Sequence, residues 1–170
     1  MKYQQTNKYL TITFSLYLIL TSLVSIFLLL ATLFQNHVVD FISIIALVVG
    51  FALAIVTFIN NFLILNNLNK VESLQLLVNI FLCILQSIVL FSDGFYFKYT
   101  QGFESILFMY TSLNGEMLDV KMSNRTFIHD LIFKFDEFHG LLIGVNFIAA
   151  VLILFYILKY KFNKISNNTY

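Results

Sequence analysis

The sequence has no proline, no tryptophan, a single cysteine and few charges. One cysteine, Cys83, forbids an intramolecular disulfide and a cysteine-based metal cluster alike. Only 11% of the 170 residues are charged and 59% are hydrophobic, whereas a soluble domain carries ~25% charged residues. A water-exposed globular fold is excluded. The net charge of +1 supplies no field to gather nucleic acid or an acidic substrate. The partner that composition points to is the lipid bilayer. The missing proline and tryptophan, beside abundant Phe, Ile, Asn and Lys, resemble the codon drift of AT-rich coding DNA and carry no functional meaning.

Catalytic signatures are missing too. Neither His-Glu-x-x-His nor the His-x-Glu and Cys-x-x-Cys pairing of a zinc site occurs, and the sequence gives no reason to expect a cofactor. What it does hold is four charge-free apolar runs: Leu10 to Phe34, Phe41 to Leu65, Leu74 to Phe91, and Leu141 to Leu158. At ~1.5 Å per residue the first two cover a ~30 Å hydrocarbon core with tilt, and the last two lie near the ~17-residue lower limit. Hydrocarbon offers no partner to a backbone amide, so each run is expected to be an α-helix. The first run far exceeds the ~7–15 apolar residues of a secretory signal and is read as a retained anchor. The expected fold is an all-α integral membrane protein, one domain over residues 1–170. Four transmembrane helices would form a bundle, with a partly helical outer segment over 92–140.

Orientation follows from the flanking cations. Lys2 and Lys8 precede the first run, Lys70 separates the second and third, and Lys159, Lys161 and Lys164 follow the fourth. The link between the first two has none, which puts both termini of a multi-pass protein in the cytoplasm.

Small residues recur at helix-packing spacing. Ala46, Gly50 and Ala54 form one stripe, and Gly140 and Gly144 make a G-x-x-x-G at the head of the fourth run; such stripes let two backbones approach closely. Asn79, Cys83 and Gln86 share one face of the third run, and Asn146 lies in the fourth. These polar groups suit interhelical hydrogen bonds or, as an alternative, the lining of a pore. No run contains an ionisable group besides Cys83 and tyrosines, which argues against a proton- or sodium-driven carrier acting alone.

The segment from Ser92 to Gly140 holds most of the remaining polarity. Asn114-Gly115 marks a turn. Phe127, Ile128, Leu131, Ile132, Phe135 and Phe138 recur with helical period, predicting an amphipathic helix over 124–138 that roofs the outer ends of the spans. His37, His129 and His139, with Asp40, are candidate metal ligands or catalytic groups on that outer side. Asn124-Arg125-Thr126 matches a glycosylation sequon, but Asn167-Asn168-Thr169 matches it equally on the opposite side.

Four runs with a long connection between the third and fourth resemble the tetraspanin layout. That family needs a Cys-Cys-Gly motif and paired cysteines, which this chain lacks. The expected function is that of a non-catalytic subunit or accessory protein in a larger membrane complex, contacting other membrane chains. A small transporter or channel component lined by Asn79, Gln86 and Asn146 is the alternative. An outward-facing enzyme using the His and acid residues is a third reading.

Overall fold

A computed structural model describes residues 2–35, 41–68, 70–92, 95–111, 118–135 and 141–167. In chain order the elements are α1 (Lys2–Gln35), α2 (Phe41–Asn66), α3 (Ser73–Ser87), β1 (Ile88–Ser92), β2 (Phe95–Thr111), β3 (Leu118–Phe135), β4 (Leu141–Asn146) and α4 (Phe147–Asn167). The all-α expectation is overturned. A four-stranded antiparallel sheet is built between α3 and α4, and two helices, α1 and α2, are long and apolar enough to cross a membrane.

Each half of the correction has a local cause. The third and fourth apolar runs are each mostly helix with a strand at one end: α3 stops at Ser87, where Ile88 turns to extended backbone at φ −108° and ψ 127°, and α4 begins only at Phe147. Ile88-Val89 and Val145 are β-branched, a class that favours strands, and the two run ends pair with each other from Ile88↔Val145 to Ser92↔Leu141. The segment expected as an amphipathic helix is instead β3 as far as Phe135; residues 136–138 lie outside the described ones. In the sequence, apolar residues at 127, 131 and 135 fit a helical repeat, but a spacing of four is also a multiple of the strand period of two. The long antiparallel ladder from Phe95↔Phe135 to Thr111↔Leu118 decides between them.

The pairing is cyclic. β1 is antiparallel to the start of β2, β4 is antiparallel to β1, and β4 is also antiparallel to the end of β2. Three mutually antiparallel straight strands are impossible, so β2 bends between Lys98 and Ile106. The bend is marked by Gly102 at φ +94° and by a register shift against β3 between Gly102 and Glu104. Across the shift β2 advances two residues and β3 three, so the extra residue is in β3; a bulge raises the local twist of the paired strands, and on β2 glycine adopts its backbone without a Cβ penalty. Among the described residues β3 is then the strand left with an unpaired edge, and it lies against α1 and α2.

The four helices share one core, in which Leu18 of α1, Ile64 of α2, Leu76 and Cys83 of α3, and Leu152 and Tyr156 of α4 meet. Phe14 packs edge-on to Phe155, ring centroids 4.7 Å apart. Around that core the usual polarity is inverted. Thr11, Ser15, Thr21, Ser22, Ser25, Thr57, Asn60 and Asn61 are buried, while Leu16, Leu20, Phe27, Val48, Val56 and Phe62 face outward. Only 28% and 33% of the apolar stretches of α1 and α2 are buried. A core helix of a soluble domain would bury most of such a stretch.

Candidate functional site

The buried polar residues fall into two groups. In the first, α2 and α3 are joined through amides. Asn60 donates from Nδ2 to Gln75 O (2.9 Å) and to Asn79 Oδ1 (2.8 Å). Asn61 donates to Asn79 Oδ1 (3.1 Å) and Asn79 returns a bond to Asn61 Oδ1 (2.9 Å). Asn61 also reaches back to Thr57 O at 2.8 Å. The mutual Asn61 and Asn79 pair fixes the register of the two helices, because sliding either would leave amide groups buried and unpaired.

The second group is carried by β2, where the five consecutive residues Lys98 to Gly102 are buried. A strand shows successive side chains to opposite faces, so both faces of this stretch are covered. Lys98 Nζ lies 2.6 Å from Glu104 Oε2, with the two side chains only 5% and 1% exposed. Burial of a charge is tolerated when it is paired in this way. The more exposed Arg125 places Nε 4.0 Å from Glu104 Oε1. On the alternate positions Tyr99 donates from its hydroxyl to Gln101 Oε1 at 2.7 Å. Gln86 Nε2, Gln101 Nε2 and Thr100 Oγ1 are buried without a hydrogen-bond partner. Two amide donors and a hydroxyl are thus held in the interior with bonding capacity to spare.

The residues expected to matter are distributed unevenly. Asn79 belongs to the first polar group and Gln86 is buried beside the second. Asn146 has a different role: its Oδ1 accepts from Ile148 N at 3.2 Å and from Ser105 N at 3.3 Å, so it caps α4 and ties the cap to β2. Gly50 and Ala54 are buried on α2 and Ala46 is half-buried. Gly144 lies in β4, where a Cβ would come within 2.9 Å of both Ile106 and Phe108 side-chain atoms. Gly140 lies outside the described residues. So do His37, Asp40 and His139, while the His129 backbone pairs with Gln101 in the β2–β3 ladder. Lys98, Glu104 and Gln101 were not singled out from sequence. The available signal was the isolated Lys98 and Glu104 of opposite sign within an aromatic, strand-forming stretch.

A third feature lies between α1 and α4. A groove of about 400 Å³ runs between them, lined by Phe14, Tyr17, Phe147, Ile148, Val151 and Leu152, with Thr13 and Ser105 completing its wall. Tyr17 stacks on Phe103, ring centroids 5.9 Å apart, and its hydroxyl accepts from Phe103 N at 3.1 Å. Below the groove Lys159 donates from Nζ to Thr11 Oγ1, and burial pulls its ammonium from 10.5 down to about 8. Asn163 Nδ2 donates to Val71 O at 3.1 Å. The start of α1, the α2–α3 connection and the end of α4 therefore meet at one end of the helices. Comparison with family models, with curated proteins and with solved structures finds no match for this chain.

Proposed function

We propose that the protein is a non-catalytic membrane subunit in which α1 and α2 cross the bilayer, while α3, α4 and the sheet form a body packed beside them that associates with larger membrane chains. The observation that carries this reading is the inverted surface: hydroxyls and amides face inward, and leucine, phenylalanine and valine side chains face outward along both long helices. Water would penalise that surface by about 25 cal/mol for each Å² left exposed, and lipid or a partner helix removes the penalty. The orientation proposed has Lys8, Lys70 and Lys161 on the cytoplasmic side, with both termini there. It is supported by the bonds from Lys159 to Thr11 and from Asn163 to Val71, which gather these cations at one end.

Purification of the native protein from its own membranes in mild detergent tests the subunit reading. The expected result is retention in the membrane through an alkaline wash and recovery in fixed ratio with at least one other membrane chain. Recovery as a lone monomer under several mild detergents would overturn it.

A second reading, a small transporter or channel component, draws on the buried Lys98 and Glu104 pair and on the Nε2 groups of Gln86 and Gln101, which are buried without a hydrogen-bond partner. Groups with spare hydrogen-bonding capacity in an apolar surrounding suit a polar solute. Flux of ions or small solutes from liposomes holding the purified protein, reduced by Glu104→Gln, is its expected sign. No flux above empty liposomes would remove it.

A further inference from the structure

We infer that the groove between α1 and α4 is a binding site for one acyl chain of a bilayer phospholipid whose phosphate lies toward the Lys8 and Lys161 end. This inference rests on the membrane reading above and specifies a ligand for one surface of the molecule. The groove's volume of about 400 Å³ falls within the ~300–1,000 Å³ of ordinary ligand sites. Its lining is almost wholly apolar. Of the two α1 side chains on its wall that carry a hydroxyl, Thr13 and Tyr17, the Tyr17 hydroxyl is engaged by Phe103 N. The groove is continuous with the outward apolar surface, because two of its walls, Phe147 and Val151, are themselves exposed.

The choice of occupant follows from the side chains. A partner helix packs closely in a membrane where small residues let backbones approach, and here bulky Phe14, Tyr17, Phe147 and Leu152 hold a helix away while leaving a slot between them. A single hydrocarbon chain fits a slot of that kind. The sheet extends the track, since Val145, two residues before Phe147, shares a face with Leu107 and Met122 in neighbouring strands, and Val145 and Met122 are exposed.

Charge gives the ligand its polarity. Lys8 is nine residues before Tyr17 on α1, ~14 Å along the helix axis. Lys161 lies just past Lys159, whose bond to Thr11 sets α1 and α4 at the same level. Lys8 and Lys161 are exposed. A phosphate at that level leaves its acyl chain to run up into the groove.

The absence of tryptophan from the sequence makes a direct test simple. Phe147→Trp places a lone fluorophore at the groove rim, and Phe27→Trp places one on the outward face of α1 away from it. Each full-length variant is reconstituted in phosphatidylcholine vesicles containing increasing fractions of an anionic phospholipid whose acyl chains are brominated near their middle. The expected result is half-maximal quenching of the Phe147→Trp signal at a several-fold lower mole fraction than that of Phe27→Trp. Adding Lys8→Gln and Lys161→Gln should erase the difference. Identical curves at the two positions would overturn the site while leaving the membrane reading intact, as would quenching at Phe27→Trp alone. Quenching at neither position would overturn both. Preference for the groove that survives the two lysine substitutions would overturn the assigned headgroup end.

Discussion

Gly102 is the residue on which the shape of the sheet depends. Its φ of +94° is a conformation that side chains with Cβ rarely adopt, and a Cβ there would sit 2.9 Å from the Tyr17 hydroxyl and collide with Thr21. Gly102→Ala is expected to destabilise the protein by about 1–2 kcal/mol through the backbone and by about 1–3 kcal/mol through overpacking. Thermal unfolding in detergent checks this, and an unchanged midpoint would show that β2 does not bend against α1. Lys159 makes a prediction of opposite character. Its folded value of about 8 lies below the ordinary 10.5, so between these values the unfolded chain holds the proton and the folded chain does not. Stability should therefore rise with pH across that window, and Lys159→Met should flatten the rise. A chemical-denaturation series at stepped pH would expose the error if wild type and variant ran parallel. At this scale the sequence was partly readable. Spacing put Asn79, Cys83 and Gln86 on one face, and all three are buried. It gave no hint that Asn146 would cap a helix, because capping depends on where the helix starts, which an unbroken apolar run conceals.

Among elements, α1 and α2 were the legible ones, since a long charge-free run leaves few alternatives to a helix. The shorter runs were misread for a physical reason. Hydrophobicity reports that a segment is shielded from water, while the choice of helix or strand depends on whether another segment is available to pair with. For Ile88–Ser92 one partner, Phe95–Lys98, follows directly in the chain, but the other, Leu141–Val145, is far along it and lies outside the pattern that a local reading weighs. The strand assignment of β4 has a period that can be measured. Ile143 and Val145 are exposed, Gly144 and Asn146 buried, an alternation of two where a helix would repeat at 3.6. Single cysteines at 143, 145 and 146, in a Cys83→Ser background, should react with a membrane-permeant maleimide at 143 and 145 and resist it at 146, while 144 is left as glycine because a Cβ there would press on Ile106 and Phe108. Reactivity following a helical repeat would mean that α4 begins before Leu141.

At the scale of the whole molecule, in the bilayer setting proposed above, the bend in β2 and the two long helices would answer the same constraint. Backbone groups near hydrocarbon must find partners within the protein. The cyclic pairing gives β1 and β4 a strand partner on both sides, and among the described residues the long edge that remains belongs to β3, which lies against α1 and α2. Helices and sheet can then share an apolar exterior; composition announced the apolar exterior, but the sheet within it was not read from the sequence. The arrangement has a consequence for orientation. Because Lys159 meets Thr11 and Asn163 meets Val71, the N-terminal turns of α1, the α2–α3 connection and the end of α4 must all face one side of any membrane that α1 and α2 cross. Single cysteines replacing Lys8, Lys70 and Lys161 in the Cys83→Ser background should be labelled by an impermeant reagent only after the cytoplasmic face of the membrane is opened, and Asn114→Cys should be labelled from outside without opening it. If one of the three lysine positions reacted from outside and the others did not, α1 and α2 could not both span the bilayer with the packing described. If all four partitioned in reverse, the packing would stand and the cationic end would face outward.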